Sequence, residues 1–484
     1  MPNPSALPHS LNVLLIGGGG REHALARKLV QSPRLGTLWI THPDNPGLRE
    51  LGKPVDVPVS IREIYRLEQF CTRERIHVAI IGPEDPLAEG FADKLRGVGV
   101  LVFGPGAEGA RLEADKAWAK QLMRGASIPT AEGRSFTDPE GARRFFESRI
   151  QADDDTLAAL WSKADQYRDP AERRAFINQQ IERESAIRKA YQLARPDLPV
   201  IKAAGLAKGK GVIVPGTLLE GLRAIEDIGV RKVFGEAGRQ IVVEERLAGV
   251  EVSVLAITDG RTILVLPPCQ DHKRLGDNDT GPNTGGMGAF CPSPLIDDGL
   301  MSRIEGEILV PSVDALRREG IDYRGVLYAG IMLTPAGPKV LEFNCRFGDP
   351  ECQPLMARLT SDLLELVVAT CEGRLDECEV TWNAASACCV VLASSGYPEK
   401  PRLNIPIHNI DKAEALPGVA VDHAGTRLNE RGEVVTAGGR VLGVTGLGPT
   451  LEAARAKAYA ACDLIEFEGK VMRRDIGAPS RVTR

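Results

Sequence analysis

Residues 11–25, LNVLLIGGGGREHAL, constrain the fold more than any other stretch of this chain. Residues 11–16 read as a buried strand, Gly17 to Gly20 as a tight turn, and Glu22 to Val30 as a helix. A strand, a glycine turn and a helix in that order open an α/β unit whose turn can approach an anion. Further strands are expected at 38–40, 78–82 and 101–104, the last two ending in glycine at the edge where open α/β sheets bind ligands. The dinucleotide fingerprint fails, because Gly17-x-Gly19 requires a third glycine where Glu22 stands. A nicotinamide-dependent oxidoreductase is therefore disfavoured. The turn could still seat a phosphate on the helix N-terminus, with Arg21 beside it.

A chain of 484 residues has room for about three or four domains. Its net charge of −5 argues against a general nucleic-acid binder but leaves room for a local basic pocket. No apolar run is long enough to span a bilayer, and residues 1–10 lack the basic start and apolar core of a signal peptide. Those ten residues are expected to be a disordered extension, and the protein is expected to be cytoplasmic. The 10 cysteines are scattered without a Cys-x-x-Cys pair, as free thiols in a reducing compartment would be. Cys345 is read as a packing residue.

Residues 269–290, CQDHKRLGDNDTGPNTGGMGAF, lack the apolar periodicity of a packed element and read as an active-site loop. Glycine-rich backbone lets N–H groups approach an anion, and Lys273 and Arg274 supply countercharge. Residues 199–214 read as strand, glycine loop and strand, with Lys202, Lys208 and Lys210 among Gly205, Gly209 and Gly211. The order is not that of a Walker A loop, but such a flap can cover phosphates. Residues 241–259 place Glu244, Glu245 and Glu251 around a connection between two strands, where acids can accept from an adenine amino group or a ribose hydroxyl. Residues 326–333 and 338–344 are expected to form a hairpin that puts Glu342 and Asn344 on one face. That pair of oxygen donors suits Mg²⁺ shared with phosphate oxygens.

Residues 151–196 are rich in Arg, Glu, Gln and Ala. Asp169, Pro170 and Glu172 form a helix start, and Phe176, Ile177, Ile181, Ile187 and Tyr191 then share a face. Helices are also expected over 360–372 and 450–465, the latter capped by Thr450.

Taken in order, GGGGREHAL, GPEDPL, EADKAW, IKAAGLAKGKGV, EERLAGVEVS, QDHKRLGDNDTGPNTGGMGAF and EFNCRFGDPE resemble the glycinamide ribonucleotide synthetase family of ATP-grasp ligases. The likeness runs from residue 11 to near the C-terminus, interrupted at 151–196. DHKR…GPNTGGMGA and EFNCRFGDPE are specific to that family, whereas the glycine flap alone indicates only ATP-grasp. The DHKR segment also speaks against ATP-grasp carboxylases and formyl-phosphate-using transferases. A degenerate, binding-only protein would be expected to have lost a metal ligand or a phosphate lysine.

The resemblance implies ligation of glycine to 5-phosphoribosylamine with ATP, through glycyl phosphate, in purine biosynthesis. It implies Mg²⁺ (or Mn²⁺) on Glu342 and Asn344, and phosphate contacts from Lys116, Lys202 and the flap Gly205, Gly209 and Gly211. Glu244, Glu245 and Leu247 resemble the adenine hinge, Glu251 the ribose contact, and Arg274 and Asn283 the nucleotide-site lining. Arg274, Asp271 and Arg346 are assigned catalytic roles. Arg346 and Asp349 would hold glycine by its carboxylate and ammonium. Gly18, Gly19, Arg21, Glu22, Pro83 and Glu84 would face phosphoribosylamine, with Asp271, Lys273 and Gly286 also lining the substrate pocket. Asp115 and Ala204 depart from the family's common serine and acid.

The implied class is α/β and α+β multidomain. A Rossmann-like pre-ATP-grasp domain covers 11–124, and an ATP-grasp lid with the helical insertion covers 125–247. The ATP-grasp main domain covers 248–385, and a small C-terminal α+β domain covers 386–484. Expected partners are the small-molecule substrates alone, without nucleic acid or membrane, in a monomer or weak homodimer.

Overall fold

Strand Leu11–Ile16 lies at the centre of a five-stranded parallel sheet in the computed structural model, which describes residues 7–149, 163, 166–191, 198–207 and 210–478. Its near-continuous burial matches a strand covered by helices on both faces. The strand order is Lys53–Pro54, Leu35–Ile40, Leu11–Ile16, Ile76–Ile81, Leu101–Phe103. The order reverses between Leu11–Ile16 and Ile76–Ile81, so a crevice opens beyond their carboxyl ends at Gly17–Gly20 and Gly82–Glu84. Residues 1–6 of the expected extension lie outside the described residues. Within the rest of it, the Pro8 and His9 carbonyls accept from the Arg34 guanidinium.

The lid is an antiparallel sheet of Gly133–Phe136, Ile241–Glu244, Val200–Ala203 and Val212–Ile213. Helices Pro139–Ser148 and Leu218–Gly229 back it and bury Phe146 and Ile225. The second antiparallel sheet runs Ile263–Val265, Val250–Thr258, Gly325–Thr334, Gly337–Asn344. The expected hairpin is the pair Gly325–Thr334 and Gly337–Asn344. Its core is continuous with that of the parallel sheet, one cluster holding Val254 and Leu327 together with Leu14 and Ile81.

Two features depart from the sequence expectations. Residues 269–290 are not one loop: they contain strands Gln270–Asp271, Arg274–Gly276, Thr280–Asn283 and Gly288–Cys291. Gly288–Cys291 is fully buried and pairs with Ser386–Ala393. A glycine is required there because a Cβ on Gly288, at φ +157°, would sit 2.6 Å from the Cys389 carbonyl oxygen. In consequence the C-terminal sheet is not built only from residues beyond 386. Its order is Gln270–Asp271, Gly288–Cys291, Ser386–Ala393, Arg440–Gly448, Val419–His423, so the loop and the C-terminal segment share one sheet.

The insertion contributes helix Pro170–Tyr191, started by the Asp169 carboxylate accepting from Ala171 N at 2.7 Å. Ile177 is buried, and Asn178 accepts from Arg223 on the lid helix Leu218–Gly229. The side chains of Ile187 and Tyr191 lie outside the described residues. Helix Leu363–Glu372 and helix Leu451–Leu464, capped by Thr450, are as expected.

Candidate active site

A cleft of about 1010 Å³ separates the lid sheet from the main sheet and reaches the carboxyl edge of the parallel sheet. Its lid wall is organised by Glu244, which ends strand Ile241–Glu244 and is almost fully buried. Lys202 and Lys120 both pair with the Glu244 carboxylate, Lys120 at 2.6 Å. Lys202 also donates to the Leu341 carbonyl at 3.0 Å. Leu341 is the extra residue of a β-bulge opposite Gly330 and Ile331, which frees its carbonyl from the ladder. Lys116 opens helix Lys116–Gly125 and donates to the Gly205 carbonyl at 3.2 Å. Asp115, the departure from the common serine, caps that helix by accepting from Trp118 N at 3.0 Å; either residue type can do so.

Glu342 and Asn344 project from strand Gly337–Asn344 into the same cleft. The Glu342 carboxylate stands 3.3 Å from Lys273 Nζ, and Lys273 also pairs with Glu251. The Lys273 ammonium, against the upward push of burial and helped by Lys202 and Lys116, holds the Glu342 carboxyl down to about 2. Burial works to lower Lys273, but Glu251 and Glu342 together carry it well above its ordinary value. Burial lowers Lys116 in spite of Glu342. An ionised carboxylate ringed by lysines is a site prepared for phosphates bridged by a hard cation. Among the described residues no group of three or more His, Cys, Asp or Glu side chains could hold a metal by itself.

At the far end, Arg346 Nη2 donates to Glu113 at 2.8 Å and Nε to Glu84 at 3.2 Å. Glu113 also accepts from Cys345 N at 2.9 Å, which fixes the turn after strand Gly337–Asn344. Burial alone would lower Arg346, but Glu113 and Glu84 raise it. Asp349 accepts from Gln353 Nε2 at 2.9 Å and lies 3.1 Å from Arg440 Nη2. Asp271 accepts from His272 N at 2.7 Å, and burial with the nearby Glu351 pushes its carboxyl well up. Arg274 donates to the Gly281 carbonyl at 2.9 Å across the hairpin it forms with Asn283.

Most sequence-selected residues therefore meet in one cleft. Arg21, Pro83, Glu84, Gly211 and Leu247 line it along with the groups above. Glu245 lines it too, while pairing with Lys339 at 2.7 Å. Several do not. Glu22 is buried behind the wall, where it caps the first helix by accepting from Gly19 N at 2.6 Å and pairs with Arg21 at the same distance. It does not line the cleft. Gly18 packs on His42, Gly205 on Ala237 and Gly286 on Pro350, each so closely that a Cβ would clash. Gly19 lies with its amide on Glu22, and Gly209, with Lys208, is outside the described residues. The Glu244 carboxylate is held by two lysines.

Sequence reasoning missed Lys120, Glu113, Tyr397 and Arg440. Lys120 carried a signal, since it follows Lys116 by one helical turn. The others carried none, being brought in by tertiary packing.

Two antiparallel sheets gripping a cleft of lysines and acids, beside a parallel-sheet domain, define an ATP-grasp protein. Family models agree: phosphoribosylglycinamide synthetase N domain matches residues 11–113, its ATP-grasp (A) domain residues 169–352, and its C domain residues 387–479. The chain belongs to the phosphoribosylglycinamide synthetase family. It is 43% identical over 473 residues to the phosphoribosylamine–glycine ligase of Rhodopirellula baltica, covering 98% of each chain. The crystal structure of phosphoribosylamine–glycine ligase from Thermotoga maritima matches with a TM-score of 0.72 and 30% identity, over 96% of this chain and 100% of that one. The biotin carboxylase domain of Hydrogenobacter thermophilus 2-oxoglutarate carboxylase, solved with MgADP, ADP and bicarbonate, has a TM-score of 0.67 at 14% identity. It covers 96% of this chain and 92% of that one, and shows the shared fold alone.

Proposed function

We propose that this chain joins glycine to 5-phosphoribosylamine, giving glycinamide ribonucleotide, ADP and phosphate, as a phosphoribosylamine–glycine ligase of purine biosynthesis. Its similarity to ligases of that name over nearly its whole length supports the reading. The observation that carries it is the Glu342 carboxylate, ionised among Lys273, Lys202 and Lys116 and one strand-turn away from the Arg346–Glu84–Glu113 group.

A carboxylate is a poor electrophile at neutral pH. Transfer of the ATP γ-phosphoryl to a glycine oxygen breaks the bond to ADP and makes glycyl phosphate. The amine of phosphoribosylamine then attacks the carbonyl carbon, the C–O bond to phosphate breaks, and the nitrogen loses a proton. Positioning and charge neutralisation supply most of the rate in phosphoryl transfer. Lys116 and Lys202 would hold nucleotide phosphates, with Lys202 exchanging its Glu244 partner for them. Arg274 would stabilise charge on the transferred group. Glu251 would take the ribose and the backbone through Leu247 the adenine. Arg346 and Asp349 would orient glycine, and Arg21, Pro83 and Glu84 would face phosphoribosylamine.

Glu342 and Asn344 offer oxygen donors that would suit Mg²⁺ or Mn²⁺. When bound, it neutralises phosphate charge. No helix among the described residues is long and apolar enough to cross a membrane. The test is product identity: purified protein given ¹³C-glycine, ATP, Mg²⁺ and phosphoribosylamine made in situ should form ¹³C-labelled glycinamide ribonucleotide. Labelled product absent while ATP binds would contradict the reading.

A further inference from the structure

The parts of the cleft contributed by the C-terminal segment have no role in the scheme above. Arg440 opens strand Arg440–Gly448 and lines the cleft, as does Tyr397. Both act on the Gly285–Gly286 turn. The Gly285 N–H donates to the Tyr397 hydroxyl at 3.0 Å, and the Gly285 carbonyl accepts from Arg440 Nη1 at 2.8 Å. The same guanidinium reaches Asp349 twice, donating to its backbone carbonyl and standing 3.1 Å from its carboxylate. Gln353 takes the other Asp349 oxygen, so both oxygens are fixed in direction.

The turn has no slack on its other side. At Gly286, φ is +113° and a Cβ would lie 2.5 Å from Pro350 Cδ and 2.9 Å from Asp271 Oδ1. Tyr397 is itself seated over Gly439, where a Cβ would meet its ring at 2.1 Å. Arg440 is thus a planar fork joining two chain segments 155 and 91 residues away from it. A fork of this kind sets direction as well as distance, which an ammonium cannot reproduce.

We propose that Arg440 and Tyr397 are positioning residues for the glycine end of the reaction, holding the Asp349 carboxylate and the Gly285–Gly286 turn in working register. The inference rests on the ligase reading for its kinetic part. It assigns the C-terminal segment a share in the reaction rather than a purely architectural place. The nucleotide end is built on Glu244, Lys202 and Lys116 and is not touched by either residue.

Arg440→Lys and Tyr397→Phe separate positioning from folding, because Tyr397→Phe removes a single oxygen. The expected result is a rise in KM for glycine of about tenfold in Tyr397→Phe and about a hundredfold loss of kcat/KM for glycine in Arg440→Lys, about the effect of a misplaced reacting group. KM for ATP should stay within about twofold of wild type in both. Unchanged glycine constants, or glycine and ATP constants that rise together, would overturn the proposal. A second readout does not depend on activity. Amide hydrogen exchange in residues 283–287 should accelerate in both variants while residues 11–16 stay protected. Unaltered exchange at 283–287 would overturn the proposal even if the wild type proved inactive as a ligase, a result that would count against the functional reading separately.

Discussion

The Lys120 ammonium stands 2.6 Å from Oε2 of Glu244, a carboxylate whose side chain is 1% exposed. Lys202 holds the other oxygen, so one buried acid is shared by two lysines. Lys120 also donates to Thr130 and to the Ala131 carbonyl, which holds its ammonium in place. It therefore fixes Glu244 and leaves Lys202 as the lysine free to change partners when phosphates arrive.

Lys120→Met should accordingly lower both stability and nucleotide affinity. Removing one partner of a buried pair costs about 3 kcal/mol. Lys202 would then be the sole countercharge for Glu244 and would be harder to draw toward ATP. Urea denaturation together with ATP titration checks this, and an unaltered ATP affinity would contradict it.

Glu342 gives a pH signature. Its carboxyl is held at about 2, below the ordinary 4.5, by Lys273 first and then by Lys202 and Lys116 against burial. A depressed acid contributes stability that is full above its unfolded value and disappears as pH falls toward its folded one. The stability gap between wild type and Glu342→Gln should be constant from neutral pH down to about 5 and more than half gone by about pH 3. Denaturant titrations at several pH values measure it, and a gap that is flat down to pH 3 would be inconsistent with the pairing.

Asp422 should behave in the opposite sense. It is buried between the first helix and the C-terminal sheet, 3.7 Å from His23 Nδ1. That nitrogen accepts from His423 N at 2.9 Å, so it carries no proton and the imidazole is neutral. Burial, only partly offset by Arg27, pushes the Asp422 carboxyl up to about 7. The stability linked to a raised acid is full below its unfolded value and is lost as pH rises through the folded one. Asp422→Asn should therefore gain on wild type progressively between about pH 4 and pH 7. Thermal melts across that window test it, and a constant difference would refute the assignment.

The insertion helix Pro170–Tyr191 lies on lid helix Leu218–Gly229 through Ile177 and the Asn178–Arg223 contact. Removing residues 151–196 is expected to alter lid closure or assembly. The measurements are KM for ATP and the sedimentation coefficient. No change in either would show that the segment is a passive addition.

Much of this was legible in the sequence because it rests on local rules. The glycine turn after Leu11–Ile16 places the first crevice, and alternation along Gly337–Asn344 puts Glu342 and Asn344 on one side. What escaped is non-local. Nothing near Arg440 signals that it meets Gly285, and nothing in residues 288–291 announces a buried strand, because one of its two partner strands, Ser386–Ala393, is about a hundred residues away in sequence. Glu22 misled for a related reason. An acid beside a glycine turn looks like a substrate contact until Gly19 and Arg21 are seen to occupy it.

The most direct test of the account is ADP release by the purified protein with ATP and Mg²⁺, omitting glycine or phosphoribosylamine in turn. The account predicts release that needs both substrates and collapses in Glu342→Ala. Release that ignores either substrate, or survives in Glu342→Ala at the wild-type rate, would contradict it.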